Sequence, residues 1–303
     1  MQPRLLNGQN AKYFYFHDQK EYILSSGKFS IIFLGAEVNT KEKVIIKQLS
    51  PALFNNDIAK SKFSLEAAFK LNNNNFAKNI DFIIENNEVF IIQEYIPGPT
   101  LKELIYNKKY YSYKNNPFFL KIIINCLEAL GYLHSQNLCH CDIKPSNIII
   151  YSPYGEIDNE NPEIKIIDFG NMKKSFDTED INSKYQTFNM QYASPEQIFG
   201  FSELIGTHSD IFQIGLILYE VIAKETPLKI SNPLAFRRLQ TVIPFNKHYR
   251  FSDDLYEIIL KATTKPNLLK SERYYSEIEL KILIYESLTK RFQNAKDFIN
   301  ALN

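Results

Sequence analysis

His140-Cys141-Asp142-Ile143-Lys144-Pro145-Ser146-Asn147, followed by Asp168-Phe169-Gly170, sets out acidic, cationic and amide side chains in the order that phosphoryl transfer needs. A migrating phosphoryl group passes through a loose transition state with charge spread over its oxygens, so its catalysis is mostly positioning and electrostatics. Mg²⁺ prefers oxygen ligands in octahedral geometry and keeps several waters. A carboxylate and an amide oxygen on two adjacent loops, Asp168 and Asn147, suit it. The apolar runs Ile148-Ile149-Ile150-Tyr151 and Ile164-Lys165-Ile166-Ile167 read as short strands flanking the two loops, joined by a turn-rich stretch from Ser152-Pro153-Tyr154-Gly155 to Asn161-Pro162. A hairpin of that kind brings Asn147 and Asp168 to the same end.

Upstream, the chain reads as strand-rich. Tyr22-Ile23-Leu24 leads into a turn at Gly27, and Ile31 to Ala36 and Lys43 to Gln48 are two β-prone runs around Asn39-Thr40-Lys41. Lys47 stands on an otherwise apolar strand, Val44-Ile45-Ile46-Lys47, and an unpaired buried ammonium is costly. Its natural partner is Glu66, in a predicted helix from Ile58 to Leu71 whose Phe63, Ala67 and Leu71 share a face. Val89 to Gly98 reads as a buried strand running into a turn. Downstream the pattern is helical, with Pro117 to Gln136 periodic through Leu120, Ile123, Ile124, Leu127 and Leu130. Asn171 to Met190 is polar with few apolar anchors, as expected of a mobile segment.

Together these motifs resemble the eukaryotic-type protein kinases, and the resemblance covers nearly the whole chain. It implies an α+β bilobal fold: a small β-rich N-lobe with one main helix (20–96) and a larger, mainly helical C-lobe (97–303), after an N-terminal extension (1–19). By resemblance Asp142 sits beside the acceptor hydroxyl, Lys144 neutralises the migrating phosphoryl, and Asn147 and Asp168 hold the metal. Lys47 reaches the α- and β-phosphates of ATP and pairs with Glu66. Gly27 belongs to the phosphate-covering loop, Ile32, Ile45 and Ile149 sandwich the adenine, and the backbone of Glu94 and Ile96 bonds it, with Gln93 as gatekeeper. The implied cofactors are ATP and Mg²⁺, with Mn²⁺ as an alternative ion, and the implied partner is a protein substrate accepting on Ser or Thr, as Lys144 favours. Tyr192-Ala193-Ser194-Pro195-Glu196 resembles the A-P-E motif, whose Glu196 pairs with Arg291, and Asp210 resembles the aspartate tying a central helix to the catalytic loop.

Several positions depart from the pattern. Ser25 and Ser30 replace two of three loop glycines, Ile45 stands for the usual Ala, and Lys70 occupies a usually apolar place one turn after Glu66. Cys141 replaces the Arg that a phosphorylated activation segment pairs with, so the chain should be active without that phosphorylation. Asn189 stands for a usual Thr, with Thr187 nearby. The Arg291 motif arrives only after an apparent insertion, 266–288, in which Ile278, Ile282 and Tyr285 repeat at helical spacing. That amphipathic helix packs on the lobe or docks a partner. Two other readings share part of the residues: a pseudokinase or nucleotide-binding scaffold, and a small-molecule kinase, which has no reason to keep Ser194-Pro195-Glu196 and Asp210.

The 303 residues, 45% hydrophobic and 23% charged, are ordinary for a globular chain. A net charge of +1 gives no argument for nucleic acid or a membrane surface. Hydropathy suggests no membrane span and no signal-peptide core in Met1 to Asn10. Cys126, Cys139 and Cys141, an odd number, argue for a reducing, cytoplasmic compartment. Cys139-His140-Cys141 has no second Cys/His cluster to complete a zinc site.

Overall fold

The computed structural model describes residues 2–113, 116–176 and 188–303, the side chains of 111–113 and 116 aside. Thr178, Ser183, Tyr185 and Thr187 lie outside them. The chain divides into two compact units, Met1–Pro97 and Gly98–Asn303. The first is β-rich with one α-helix and the second mainly helical, in keeping with the α+β, two-lobed class expected from the sequence.

The first unit holds β1 (Arg4–Asn7), β2 (Lys12–Tyr15), β3 (Ile23–Ser26), β4 (Ser30–Glu37), β5 (Lys43–Leu49), α1 (Asp57–Ala68), β6 (Asn79–Glu85) and β7 (Glu88–Glu94). The strands form one antiparallel seven-stranded sheet in the order β1-β2-β4-β5-β7-β6, with β3 also paired to β4. Side chains alternate between faces along a strand, so β5 sends Val44 and Ile46 one way and Ile45, Lys47 and Leu49 the other. Val44 and Ile46 join Leu6, Tyr15, Phe33, Phe90 and Ile92 in the core enclosed by the curled sheet. Leu49 joins Val89, Ile91, Ala59 and Phe63 beneath α1.

α1 starts at an Asn56 cap, whose side chain accepts from Ala59 N–H at 2.9 Å. It ends at Ala68, three residues before the predicted Leu71, where Phe69 turns to extended backbone. Lys70 therefore lies beyond the helix and is exposed, so the departure there does not disturb the packing of α1 on the sheet.

Residues 4–15, expected only as an extension, add β1 and β2 to the sheet. Asn10 N–H donates to Asp81 Oδ2 at 2.9 Å, Tyr13 hydroxyl to the same oxygen at 3.4 Å, and Asn10 Nδ2 to Ile80 O at 2.6 Å. Arg4 pairs with Glu88. The hairpin thus bonds back to β6 and β7, the far end of the sheet, and seals its core. Burial first, and then Asp81, push the Tyr13 phenol up to about 12.

The second unit holds α2 (Leu101–Tyr106), α3 (Asn116–Ser135), β8 (Leu138–Cys139), β9 (Ile148–Ile150), β10 (Ile164–Ile166), β11 (Lys173–Lys174), α4 (Pro195–Phe199), α5 (Thr207–Ala223), α6 (Pro233–Thr241), α7 (Asp253–Ala262), α8 (Glu277–Lys290) and α9 (Ala295–Leu302). α5 is buried from Ser209 to Ala223 and packs against α3 and α7. Among the described residues one helix, Pro117–Ser135 within α3, is long and apolar enough to cross a membrane by length and composition, contrary to the hydropathy expectation. Half of it is buried, and it packs on α5 and α9 as a core helix. At the start of the unit Gly98, at φ 138°, lets the chain run over β9, where a Cβ would lie 1.9 Å from Ile150 O.

The predicted helix in 266–288 is α8, and of the two alternatives the predicted stripe does not pack on the lobe. Ile284, Ser287 and Leu288 are buried, while Ile278, Ile282 and Tyr285 face solvent. Lys281 pairs with Glu203 at 2.7 Å and holds the helix in that rotation.

Asp81→Ala would leave Asn10 N–H and Tyr13 hydroxyl without their acceptor, at a cost of about 1–3 kcal/mol. Chemical denaturation should show that loss, and an unchanged midpoint would mean that the hairpin is not fastened there.

Candidate active site

β9 is a run of three isoleucines and β10 alternates Ile164, Lys165 and Ile166, each closed by polar loops, and they pair antiparallel with Ile148 opposite Ile166. Ile167 N–H extends the ladder to Asn147 O at 3.0 Å. Asn147 and Asp168 therefore emerge at one end of the hairpin. Asp168 has φ 68°, a left-handed conformation that Asp and Asn tolerate better than other side chains.

Asp142 lies on the loop before β9. Lys144 Nζ donates to its Oδ2 at 2.6 Å, and Asn147 Nδ2 donates to its backbone oxygen at 2.9 Å. Burial pushes the Asp142 carboxyl above its ordinary range; Lys144 pulls it back and Asp168 adds to the rise. With Nδ2 of Asn147 committed to Asp142, its Oδ1 is the group left for a cation, and oxygen is what Mg²⁺ takes. No cluster of three or more His, Cys, Asp or Glu suited to a metal exists among the described residues.

The loop owes its shape to groups behind it. Asp210, fully buried in the first turn of α5, accepts from His140 N–H at 2.9 Å and from Cys141 N–H at 2.8 Å, and His134 Nε2 lies 2.9 Å from it. Cys141 can thus sit at φ 65°, a left-handed conformation unusual for its type. Gln213, one turn further along α5, accepts from Ile143 N–H at 2.8 Å and donates to Cys141 O at 3.0 Å. Gln197 of α4 donates to the same oxygen at 2.8 Å. His140 accepts from Asp142 N–H at Nδ1 and donates Nε2–H to Ile167 O, both at 3.3 Å. Burial lowers its pKa, which keeps it neutral and fit for both roles.

Arg291 meets Glu196 in a buried bidentate pair, Nη1 to Oε1 at 2.8 Å and Nη2 to Oε2 at 3.0 Å. Ser209 hydroxyl donates to Glu196 at 2.8 Å, and Arg291 also donates to Thr264 O and His208 O. Burial alone would raise the Glu196 carboxyl, but Arg291 outweighs it and holds the group below its ordinary value.

Cys139, Cys141 and Ile205 form a small apolar cluster with Phe188 packed against it, and the two sulfurs are 3.2 Å apart. Burial drives the Cys141 thiol well above its ordinary pKa. Lys173, buried on β11 opposite Cys139, donates to Ser202 O at 3.1 Å. Beside Ser146 a polar cavity of about 270 Å³ is lined by Asn189, Tyr192 and Glu220 among others. Glu220 accepts from the hydroxyls of Tyr106 at 2.6 Å and Tyr192 at 2.7 Å.

In the first unit, Lys47 Nζ donates to Glu66 Oε1 at 2.6 Å, both side chains almost wholly buried. The sheet register sets Ile32 opposite Lys47 and Gln93 opposite Ile45, which puts all four on one face. Gly27 N–H bonds Ser30 O at 2.9 Å in the turn between β3 and β4, and Glu94 N–H bonds Lys78 O at 3.0 Å. Gln93 donates to Asn79 Oδ1 at 2.7 Å, and Asn79 Nδ2 donates to Glu66 O at 2.7 Å at the end of α1. Asn79, Gln197 and Gln213 escaped the sequence reading, because an amide's role depends on partners remote in the chain. Ile96 is the last residue but one of the first unit, and Ile149, half-buried, bridges Thr100 within the second.

The model of the protein kinase domain matches residues 19–299. The chain belongs to the protein kinase domain family. The kinase domain is 28% identical to maternal embryonic leucine zipper kinase of Xenopus tropicalis over 221 residues, 73% of this chain and 31% of that protein. It is 30% identical to serine/threonine-protein kinase PknB of Mycolicibacterium smegmatis over 200 residues, 63% of this chain and 29% of that protein. The aligned stretch spans less than a third of these curated relatives.

Glu196→Gln would leave Arg291 without its counter-charge, at a cost of about 3–5 kcal/mol. Because the folded carboxyl titrates below its ordinary value, the pair's contribution is complete above that value and is lost as pH falls through the depressed one. Denaturation midpoints followed down the acid range should show a steeper loss in the parent than in Glu196→Gln. Parallel acid limbs would contradict this.

Proposed function

We propose that this chain is an ATP- and Mg²⁺-dependent protein kinase acting on Ser or Thr hydroxyls. The observation that carries the reading is the Asp142, Lys144 and Asn147 constellation, with Asp168 delivered to the same hairpin end. Asp142 orients the acceptor hydroxyl and takes its proton, helped by a carboxyl that burial has made more basic. Lys144, held on Asp142, faces charge developing on the transferred group. Asn147 Oδ1 and Asp168 would hold the ion, and Mg²⁺, when bound, neutralises charge on the phosphates. Lys47, fixed by Glu66, anchors the α- and β-phosphates. Gly27 covers them, Ile32, Ile45 and Ile149 pack on the adenine, and the backbone of Glu94 and Ile96 bonds its edge.

A protein acceptor is favoured over a small molecule by the Glu196–Arg291 and Asp210 ties, which build the surface around the catalytic loop. The serine/threonine-protein kinase among the relatives points to the same acceptor class. The odd number of cysteines, three, is the ground for proposing action in a reducing, cytoplasmic setting.

In a labelled-ATP assay with generic protein acceptors, Asp168→Asn should abolish transfer and keep the parent's melting behaviour, since Asn also accepts the left-handed backbone. Normal turnover in that variant would sink the assignment. Lys47→Met should lower the rate by roughly 3–4 kcal/mol of transition-state stabilisation, a few hundredfold. If it does not, another cation anchors the phosphates.

Regulation follows from Cys141. Where an Arg would await a phosphate, Phe188 rests on Cys139, Cys141 and Ile205, an apolar contact. Phosphatase-treated protein should keep most of its activity. A large loss, recovered on rephosphorylation within 177–187, would transfer the Arg's role to another basic residue, for example Lys173 or Lys174.

A further inference from the structure

Between α6 and the insertion lies a groove that the phosphoryl-transfer machinery does not use. Its cavity is about 180 Å³, with Leu234 and Val242 on one side and Leu268 on the other. Pockets for drug-sized ligands run to about 300–1,000 Å³, so this one suits a single apolar side chain rather than a cofactor. Arg237, Arg238 and Lys270 line it as well, against one acid, Glu272. Arg237 Nε lies 3.4 Å from Glu272 Oε1, and Arg238 has no carboxylate partner among the described residues. The groove therefore carries an excess of positive charge in a chain whose net charge is only +1.

Both walls are held in place. Arg237 donates from Nη1 to Ile198 O at 3.3 Å, and its guanidinium lies 5.3 Å over the Phe199 ring. On the insertion side, Tyr275 hydroxyl accepts from Leu269 N–H at 2.8 Å and Lys270 N–H at 3.3 Å, and Lys270 Nζ lies 4.5 Å over the Tyr275 ring. A rigid wall removes much of the ordering cost of association. Of the residues lining the groove, Leu234 is 79% exposed, a large apolar side chain that its own fold leaves mostly uncovered.

We propose that this groove docks an acidic protein segment, which inserts one apolar side chain between Leu234, Val242 and Leu268 and sets its carboxylates on Arg237, Arg238 and Lys270. Charge decides the occupant: three cations around one apolar slot complement carboxylates flanking a Leu or Phe. The inference stands apart from phosphoryl transfer, since binding is read by itself.

The test is fluorescence polarisation of the whole chain with a labelled short peptide carrying one Leu among Glu and Asp residues. Two controls accompany it, one with Lys for the acids and one with Gly for the Leu. Only the first peptide should bind saturably, and added salt should weaken it. Arg238→Glu and Leu234→Asp, both at surface positions, should each lower its affinity at least about tenfold, equivalent to about 1.4 kcal/mol, without altering the melting curve. The proposal is overturned if the acidic peptide does not bind, if the Lys peptide binds equally, or if Arg238→Glu changes nothing. Two other results would also overturn it by naming a different occupant. Binding to phosphatidylserine vesicles without peptide binding would indicate a membrane, and self-association abolished by Leu234→Asp without peptide binding would indicate a second copy.

Discussion

The Asp210 carboxylate, buried at the N-terminus of α5, carries much of the second unit's organisation. Two successive backbone N–H groups of the catalytic loop point into it, and a histidine from α3 closes the set. A buried charge is tolerable only when it is hydrogen-bonded, and the positive end of a helix dipole favours it further. Since the loop's left-handed turn at Cys141 exists through these bonds, the positions of Asp142 and Asn147 follow from a residue that touches neither. α5 extends the same service through Gln213 to Ile143 and Gln197, and through Ser209 to Glu196. One helix end thus aligns the catalytic loop, α4 and the chain around Arg291.

The first unit solves a similar problem by a shorter route. A lysine and a glutamate must meet in an apolar layer, and both backbones are fixed before they do. β5 lies between β4 and β7 with both edges bonded, and α1 has an asparagine at each end. Asn79 also receives Gln93, so a single amide couples the face carrying Ile45 and Lys47 to the helix turn carrying Glu66.

Legibility in the sequence varied with how local each cause was. The hairpin presenting Asn147 and Asp168 could be read because β-branched runs and their flanking polar loops are adjacent in the chain. Lys47 and Glu66 could be matched because a buried ammonium demands a carboxylate. The β1–β2 hairpin was missed, its strands being four residues each and its partners Ile80, Asp81 and Glu88 far downstream. For α8 the period was legible and the direction was not, since spacing shows that Ile278, Ile282 and Tyr285 share a face without showing which neighbour that face meets. Ile284 and Leu288, spaced by four, were the competing stripe. Lys70 misled for a different reason: α1 stops before reaching it.

The apolar pad beneath Phe188 has a thermal and ionic consequence. An anchor made of arginine and phosphate is a pair of charges, and salt screens such pairs wherever water reaches them. Thiols, an isoleucine and a phenyl ring offer dissolved ions nothing to screen. Their association leans on the hydrophobic effect, which weakens on cooling and is strengthened by salts excluded from protein surfaces. The contact made by Phe188 therefore slackens in the cold and holds in brine, while Tyr192, four residues on, stays hydrogen-bonded to Glu220.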